Sequence, residues 1–161
     1  CGKGMGNGYP LSGVIGRGDI MDLPEVGNMS STHSANPMAC AVGLAVLEEI
    51  ESRKLIKEAQ RKGEILKAKL NFLKNISTGR ISHILGEGLI SAILFQDSDT
   101  GQPDGLTASM VAEKCYEKGV LVVHTGRESI KLGPTLTISD DALTEGLDVI
   151  IESFREVAAL K

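Results

Sequence analysis

Apolar residues at helical spacing predict three helices, each with an apolar face. Asn36–Pro37 is typical of a helix start, because an asparagine side chain can accept backbone N–H groups and proline suits the first helical position. Two helical stretches follow, and Ser77–Gly79 ends the second. Ser139 predicts the start of a last helix, where Asp140 and Asp141 would favour the helix dipole. The apolar faces are formed by Ala41, Leu44, Ala45, Leu47 and Ile50, by Leu55, Ile56, Ala59, Leu66, Leu70 and Leu73, and by Leu143, Leu147, Ile150, Ile151 and Phe154.

Short apolar runs between residues 80 and 132 predict strands, so this part of the chain has an α/β pattern. Two strands are expected at 84–85 and 89–95, on either side of Gly86–Gly88, and a surface loop at 97–104. Residues 107–118 show helical spacing. A buried strand is predicted at 119–123, and a turn at 125–127 leads to a last strand at 129–132.

The first 29 residues differ, because they contain eight of the 19 glycines in the chain. Such a density disfavours helices and permits close approaches of the backbone. Leu11–Ile15 is predicted to form a short buried strand, and Asp19–Asp22 a brief turn. Since the chain starts with Cys1 directly in this segment, we expect it to be a fragment of a longer protein.

The composition of the 161-residue chain argues against several classes of protein. With 42% hydrophobic and 24% charged residues it is globular, and a net charge of −4 with 3% aromatic residues argues against nucleic-acid binding. No apolar run is long enough to span a membrane. Cys1, Cys40 and Cys115 are odd in number and widely spaced, which argues against disulfides or a metal site and for a cytoplasmic protein. Cys40 and Cys115 are expected to be inert core residues on apolar helix faces.

Lys3, which lies between Gly2 and Gly4, is the strongest candidate for chemistry. The segment is neither a Walker loop, which needs Ser or Thr after Gly-Lys, nor a dinucleotide-binding fingerprint, since Pro10 follows where a helix should begin. Two interpretations remain. Lys3 is either a solvated loop residue or an amine that reaches a planar ligand held close to the backbone.

Four segments resemble, in order, motifs of the class III (ω-amino acid) pyridoxal-phosphate-dependent aminotransferases. Residues 3–14 resemble the family's K-G-x-G-G-G-x-P-L-[SG]-A-V, and residues 31–41 resemble G-T-x-x-G-N-P-[LV]-A-x-A. Residues 85–89 resemble R-G-x-G-L, and residues 131–138 resemble R-x-x-P-P-L-x-I. The resemblance covers essentially the whole chain and is to the C-terminal portion of the family.

This resemblance implies the C-terminal part of a fold-type-I pyridoxal-phosphate transferase, a homodimer that acts on a small-molecule amino donor and an oxo-acid acceptor. Lys3 matches the catalytic lysine that binds pyridoxal 5'-phosphate as a Schiff base, the internal aldimine, and then shuttles a proton between the substrate Cα and the cofactor. Thr32 matches the threonine that hydrogen-bonds the cofactor phosphate of the neighbouring subunit. Residues 1–75 would complete the large cofactor domain, with its long interdomain helix, and residues 76–161 would form the small α/β domain.

Two departures from the family pattern leave alternatives open. Lys131, the candidate substrate-binding residue, stands where the family has an arginine for the substrate α-carboxylate, and lysine lacks the bidentate geometry of arginine. Arg127 could substitute or be a solvated turn residue. A decarboxylase, aminomutase or racemase of the same fold therefore stays open.

The second departure is that the family's phosphate loop, its ring-stacking aromatic residue and the aspartate for the pyridine nitrogen precede its lysine and are missing here. We therefore expect the chain alone to be inactive. A non-catalytic dimerisation or interaction domain derived from such an enzyme is a further alternative.

Overall fold

Two units make up the computed structural model, which describes residues 1–124 and 126–160: one spans Cys1–Leu55 and the other begins at Ile56. The first unit contains helices α1 (Gly18–Met21) and α2 (Pro37–Ser52) and one turn of 3-10 helix at Lys3–Gly6. Asn36 starts α2 as predicted. Its Oδ1 accepts the N–H groups of Met38 at 3.0 Å and Ala39 at 3.3 Å.

The predictions for the glycine-rich segment have different outcomes. The brief turn predicted at Asp19–Asp22 forms as the single helical turn α1, and a second short turn forms at Lys3–Gly6, because one turn needs only local hydrogen bonds. The predicted strand is wrong. Residues 11–15 form no strand, and Val14 and Ile15 are 74% and 93% exposed. The described backbone pairs in this run only at Gly13, which exchanges hydrogen bonds with Cys1. One such pair does not provide the neighbouring strand that a buried strand requires.

The second unit is an antiparallel sheet with helices, and α3 enters it from the first unit. Its elements are α3 (Leu55–Ile76), β1 (Ile81–Glu87), β2 (Ile90–Phe95), α4 (Gly105–Glu117), β3 (Val123–His124), β4 (Ser129–Leu132) and α5 (Asp140–Ala159). The strand order is β1-β2-β4-β3, and every neighbouring pair is antiparallel. The predicted helices, the two strands around Gly86–Gly88 and the strand at 129–132 are confirmed. The chain is therefore α/β in class, as the sequence pattern predicts.

A hydrophobic core forms between the three helices and one face of this sheet. Phe95 on β2 and Phe154 on α5 are nearly fully buried, and their ring centroids lie 6.2 Å apart. The other core side chains include Leu66, Leu70 and Leu73 from α3, Ile93 and Ile130 from the sheet, Ala108 and Val111 from α4, and Leu147, Ile151 and Val157 from α5. The period of the apolar residues in each helix thus matches the face that it buries.

The predicted buried strand at 119–123 is wrong in extent. Only Val123–His124 pairs with β4, and Leu121 is 81% exposed. The N–H of Val120 donates to Cys115 O at 2.8 Å, and Gly119 has a φ of +84°, so these residues complete the end of α4 instead of extending β3. Thr125, in the predicted turn, lies outside the described residues.

The cysteines differ from one another in burial. Cys115 is fully buried, as predicted, whereas the prediction of a core position for Cys40 is wrong because Cys40 is exposed. Burial raises the pKa of the Cys115 thiol. All three cysteines are free. Within the described ranges, no helix combines the length and the apolar character that a transmembrane segment needs.

An ion cluster links α3 to the start of α5. The Arg61 guanidinium donates to both carboxylate oxygens of Asp140, at 2.7 and 2.8 Å, and to Glu58 at 2.9 Å. These hydrogen bonds lower the pKa of both carboxyl groups. The side chains of the cluster are about half exposed, so salt screens their attraction. Their contribution to the stability of the fold also depends on pH, because the two carboxyl groups must be charged.

Candidate functional site

Lys3 is the first residue of the 3-10 turn and has left-handed backbone geometry, with a φ of +51°. The turn is held by two short-range hydrogen bonds, from Met5 N–H to Gly2 O at 3.2 Å and from Asn7 N–H to Gly4 O at 3.1 Å. The side chain of Lys3 is exposed, and its amine makes no hydrogen bond or ion pair with any residue in 1–124 or 126–160. The fold therefore presents a free primary amine on a constrained turn.

The loop that contains this turn is closed at its ends and attached to α2. Cys1 and Gly13 exchange both backbone hydrogen bonds, at 2.7 and 3.0 Å. The Tyr9 hydroxyl donates to Met38 Sδ at 3.1 Å, in the first turn of α2. We call residues 1–13 the lysine loop.

Thr32 lies in a separate tight turn shortly before α2. The N–H of Ser31 donates to Ser34 Oγ at 2.9 Å, and the N–H of Ser34 donates back to Ser31 O at 3.0 Å. Thr32 is exposed between them, and its hydroxyl has no hydrogen-bond partner in the described part of the chain. Lys3 and Thr32 are thus on two loops of the first unit. The lysine loop contacts the N-terminal turn of α2 through Tyr9, and the turn that contains Thr32 precedes α2 in the chain.

Lys131 belongs to the second unit, at the middle of β4. The register places it opposite Ala92 on β2 and Val123 on β3, on the face of the sheet away from the core. It is exposed and lines a cavity of about 330 Å³ with Leu121, Pro134 and other apolar residues. Its amine is without an ion-pair partner among the residues that the structure describes, so it could meet an anionic group.

Arg127 occupies the turn before β4 and behaves as a surface residue. Its side chain is 77% exposed, and its Nε lies 3.9 Å from Glu128 Oε2. The interpretation of Arg127 as a solvated turn residue agrees with this geometry.

Sequence reasoning missed the residues that attach the lysine loop to α2. Leu11 was predicted to lie in a strand, yet its side chain packs against Gly43 of α2 and against Gly6 of the turn. Gly43 is a signal that could have found this contact, because it interrupts an otherwise apolar helical stretch where a larger side chain would be expected.

The sequence model of the family Aminotransferase class-III matches residues 1–154. The chain belongs to the class III aminotransferase family. The family that the four motifs indicate is therefore confirmed.

Individual relatives of this class III aminotransferase chain agree. A 4-aminobutyrate aminotransferase of Mycobacterium tuberculosis is 37% identical over 150 residues, which is 92% of this chain and 33% of the relative. The crystal structure of an acetylornithine aminotransferase from Elizabethkingia anophelis has a TM-score of 0.82 and 29% identity, over 96% of this chain and 38% of that one. The ornithine aminotransferase of Toxoplasma gondii, whose structure shows partial occupancy of PLP at its active site, gives a TM-score of 0.78 and 31% identity over 91% and 33% of the two chains.

These relatives have the fold of pyridoxal-phosphate-dependent transaminases, fold type I, so the predicted fold class is confirmed. The class III aminotransferase chain described here spans about a third of the length of the curated relatives that it matches, as the figure of 33% for the 4-aminobutyrate aminotransferase shows.

Proposed function

We propose that this chain supplies the cofactor-bearing lysine of a pyridoxal-phosphate-dependent aminotransferase, which moves an amino group from an amine or amino acid to an oxo acid. The observation that carries the proposal is the free, exposed amine of Lys3 on a glycine-flanked, left-handed turn in a class III family member. Since the relatives are about three times longer, the other groups that hold the cofactor would come from residues outside this match. By itself, the 161-residue chain is expected to be inactive.

The residues present fit pyridoxal 5'-phosphate. A Cβ at Gly4 or Gly8 would meet nothing within 4 Å, so the backbone of the lysine loop is uncovered at these two positions. The Lys3 amine has no competing partner in the described residues, and the same holds for the Thr32 hydroxyl. A primary amine can condense with the aldehyde of the cofactor. A hydroxyl can donate a hydrogen bond to its phosphate group.

When bound, the cofactor supplies an electrophilic aldehyde carbon and a ring that withdraws electrons from the substrate Cα. The chain's own contribution centres on Lys3. Its Nζ would hold the cofactor and, once released by an incoming amine, would take the proton from the substrate Cα and return it one carbon away. A solvent-facing lysine in a fixed backbone turn can do both, because its four-carbon stem reaches either position.

Thr32 would donate its hydroxyl hydrogen bond to the phosphate in the neighbouring subunit of a homodimer. The exposure of Thr32 in the hydrogen-bonded Ser31–Ser34 turn supports this proposal, since it leaves the side chain accessible to a partner. The large domain would end at residue 75 and the small domain would follow. A cytoplasmic location is consistent with three free cysteines.

The candidate donors are amino acids with a primary amine on a terminal carbon, because 4-aminobutyrate and ornithine name two of the relatives. Lys131 favours a second candidate function. A point charge at this position binds a carboxylate without the two-pronged geometry of arginine, so decarboxylation, isomerisation or racemisation of the bound amino acid is the alternative.

The test is a donor screen on the intact protein with added pyridoxal 5'-phosphate. We expect 4-aminobutyrate, ornithine or N-acetylornithine, with 2-oxoglutarate, to give the amino product and the new carbonyl product in equal amounts. Lys3→Ala should lower the rate by about a hundredfold to ten-thousandfold, the usual range for loss of a general acid–base group. Lys57→Ala, at an exposed lysine of α3, is the matched control and should keep full activity.

Release of carbon dioxide or formation of the enantiomer, with no amino transfer, would instead support the alternative chemistry. Unchanged turnover in the Lys3→Ala variant would overturn the assignment of Lys3.

A further inference from the structure

Leu11 fills a narrow gap between α2 and the 3-10 turn Lys3–Gly6, which we call the lysine turn. A methyl group at position 43, in the middle of α2, would lie 2.5 Å from Leu11 Cδ2. A methyl group at position 6, at the end of the lysine turn, would lie 3.0 Å from Leu11 Cβ and 3.3 Å from its backbone nitrogen. Gly6 and Gly43 are both buried. Leu11 is therefore in contact with a glycine on each side, and neither position can carry a side chain unless Leu11 moves.

This contact connects α2 to Lys3 through a short stretch of backbone. Gly6 ends the 3-10 turn that Lys3 begins, and the N–H of Tyr9 donates to Gly6 O at 2.9 Å. Leu11 follows two residues later, just before the Cys1–Gly13 pair closes the loop. A displacement of Leu11 from α2 would consequently be passed to the turn that sets the backbone of Lys3.

The glycine at position 43 is unfavourable for the helix itself. Glycine inside a helix costs about 1 kcal/mol relative to alanine. In the absence of the Leu11 contact, alanine at this position would be the better residue. Because glycine has no side chain, Leu11 can pack directly against the backbone of α2 at position 43.

We propose that Gly43 and Leu11 are positioning residues for Lys3: the gap at Gly43 seats Leu11, and Leu11 holds the lysine turn at a fixed place on α2. This inference rests on the proposed role of Lys3 and adds the part of the fold that places its amine. Leu11 differs in this respect from Tyr9, because the hydroxyl contact of Tyr9 with Met38 lies in the exposed first turn of α2.

The experiment compares Gly43→Ala, Leu11→Ala and the double variant in the intact protein, freed of cofactor before each measurement. The first measurement is hydrogen exchange at the amides of Met5, Asn7 and Tyr9, which report the lysine turn. The second is the rate at which pyridoxal 5'-phosphate with cyanoborohydride modifies Lys3 relative to the exposed Lys67 of α3 in the same sample. Gly146→Ala is the matched control, since a methyl group on this glycine of α5 would meet nothing within 4 Å.

We expect Gly43→Ala to speed exchange at these three amides by about fivefold or more, which corresponds to about 1 kcal/mol. The relative modification rate of Lys3 should change by a similar factor, while exchange in the core of the second unit stays the same. Leu11→Ala should loosen the same amides. In the Leu11→Ala background the added methyl group has room, so Gly43→Ala should cause no further change.

Three results would overturn the proposal: unchanged exchange and labelling in both single variants, equal effects of Gly43→Ala in the two backgrounds, or equal changes in the second unit. Leu11→Ala adds no atoms and keeps the test decisive if Gly43→Ala does not fold. Failure of the proposed function is separate, because it would show as no preferential modification of Lys3 in the unaltered protein.

Discussion

One of the four non-glycine residues with left-handed backbone geometry described in the first unit is the residue for which we propose chemistry. Lys3 has a φ of +51°, a region that costs a residue with a Cβ roughly 1–2 kcal/mol. Glycines flank Lys3 on both sides, so its neighbours add no Cβ conflict of their own to the turn. Strained residues of this kind cluster at active sites, because the surrounding contacts hold a side chain in one direction.

The cysteines allow a prediction at the same scale. With iodoacetamide at neutral pH, the exposed Cys40 should be alkylated in the folded protein, whereas Cys115 should react only in denaturant. Burial blocks access to Cys115 and raises the pKa of its thiol, which lowers the thiolate fraction. Peptide mass spectrometry measures both sites in one sample. Equal alkylation of the two cysteines in the folded state would contradict the burial of Cys115.

Several residues could be assigned from sequence, and others could not. Asn36 was predictable because its side chain acts on the next residues along the chain, and Lys3 because glycines mark its turn. The contact of Leu11 with Gly43 joins residues 32 positions apart, and no local pattern encodes it. The exposure of Cys40 also depends on what lies beside α2, which its own periodicity does not determine.

At the scale of elements, long periodic segments were predicted well and short apolar runs were not. α3 and α5 have apolar residues over five or more turns, so their buried faces could be read from the sequence. The runs at 11–15 and 119–123 are apolar like the runs that do form strands, but a strand exists only where a second strand pairs with it. At 119–123 that pairing begins only at Val123.

The ion cluster between α3 and α5 predicts how stability depends on pH. Arg61 lowers the pKa of Glu58 and Asp140 in the folded state. Their contribution is therefore complete above the ordinary carboxyl values of about 4, and it is lost as pH falls through the lowered values. The urea concentration at the unfolding midpoint should decrease as the pH is lowered from about 7 to about 3. Arg61→Gln should make this decrease smaller.

Lys67→Gln is the control for this measurement, since it removes a positive charge of α3 that is not part of the cluster and should leave the acid sensitivity intact. If Arg61→Gln and the unaltered chain lost the same stability on acidification, the cluster would not be the cause.

At the scale of the whole molecule, each of the two units of this class III aminotransferase chain carries candidate residues of its own. The first unit holds Lys3 and Thr32, and the second holds Lys131 on the sheet face away from the core. Because the chain spans 33% of a relative's length, we propose that residues outside this match contribute to holding the cofactor ring and phosphate.

The proposed homodimer can be tested by mixing subunits of the intact protein. Thr32→Ala should weaken cofactor retention by about one to two powers of ten, since a hydrogen bond to a charged group contributes about 1.5–3 kcal/mol. Lys3→Ala subunits are inactive in this account. In a mixed dimer, one site would carry both changes and the other neither, so activity should partly return. If mixed dimers form and restore no activity, Thr32 does not act across the interface.

The central claim is that Lys3 carries the cofactor, and borohydride reduction tests it most directly. The intact protein is incubated with pyridoxal 5'-phosphate, reduced and mapped by peptide mass spectrometry. We predict one dominant adduct, on the peptide that contains Lys3, and its loss in Lys3→Arg, which keeps the positive charge but cannot form the link. A dominant adduct on any other lysine, or one that persists in Lys3→Arg, would contradict the account.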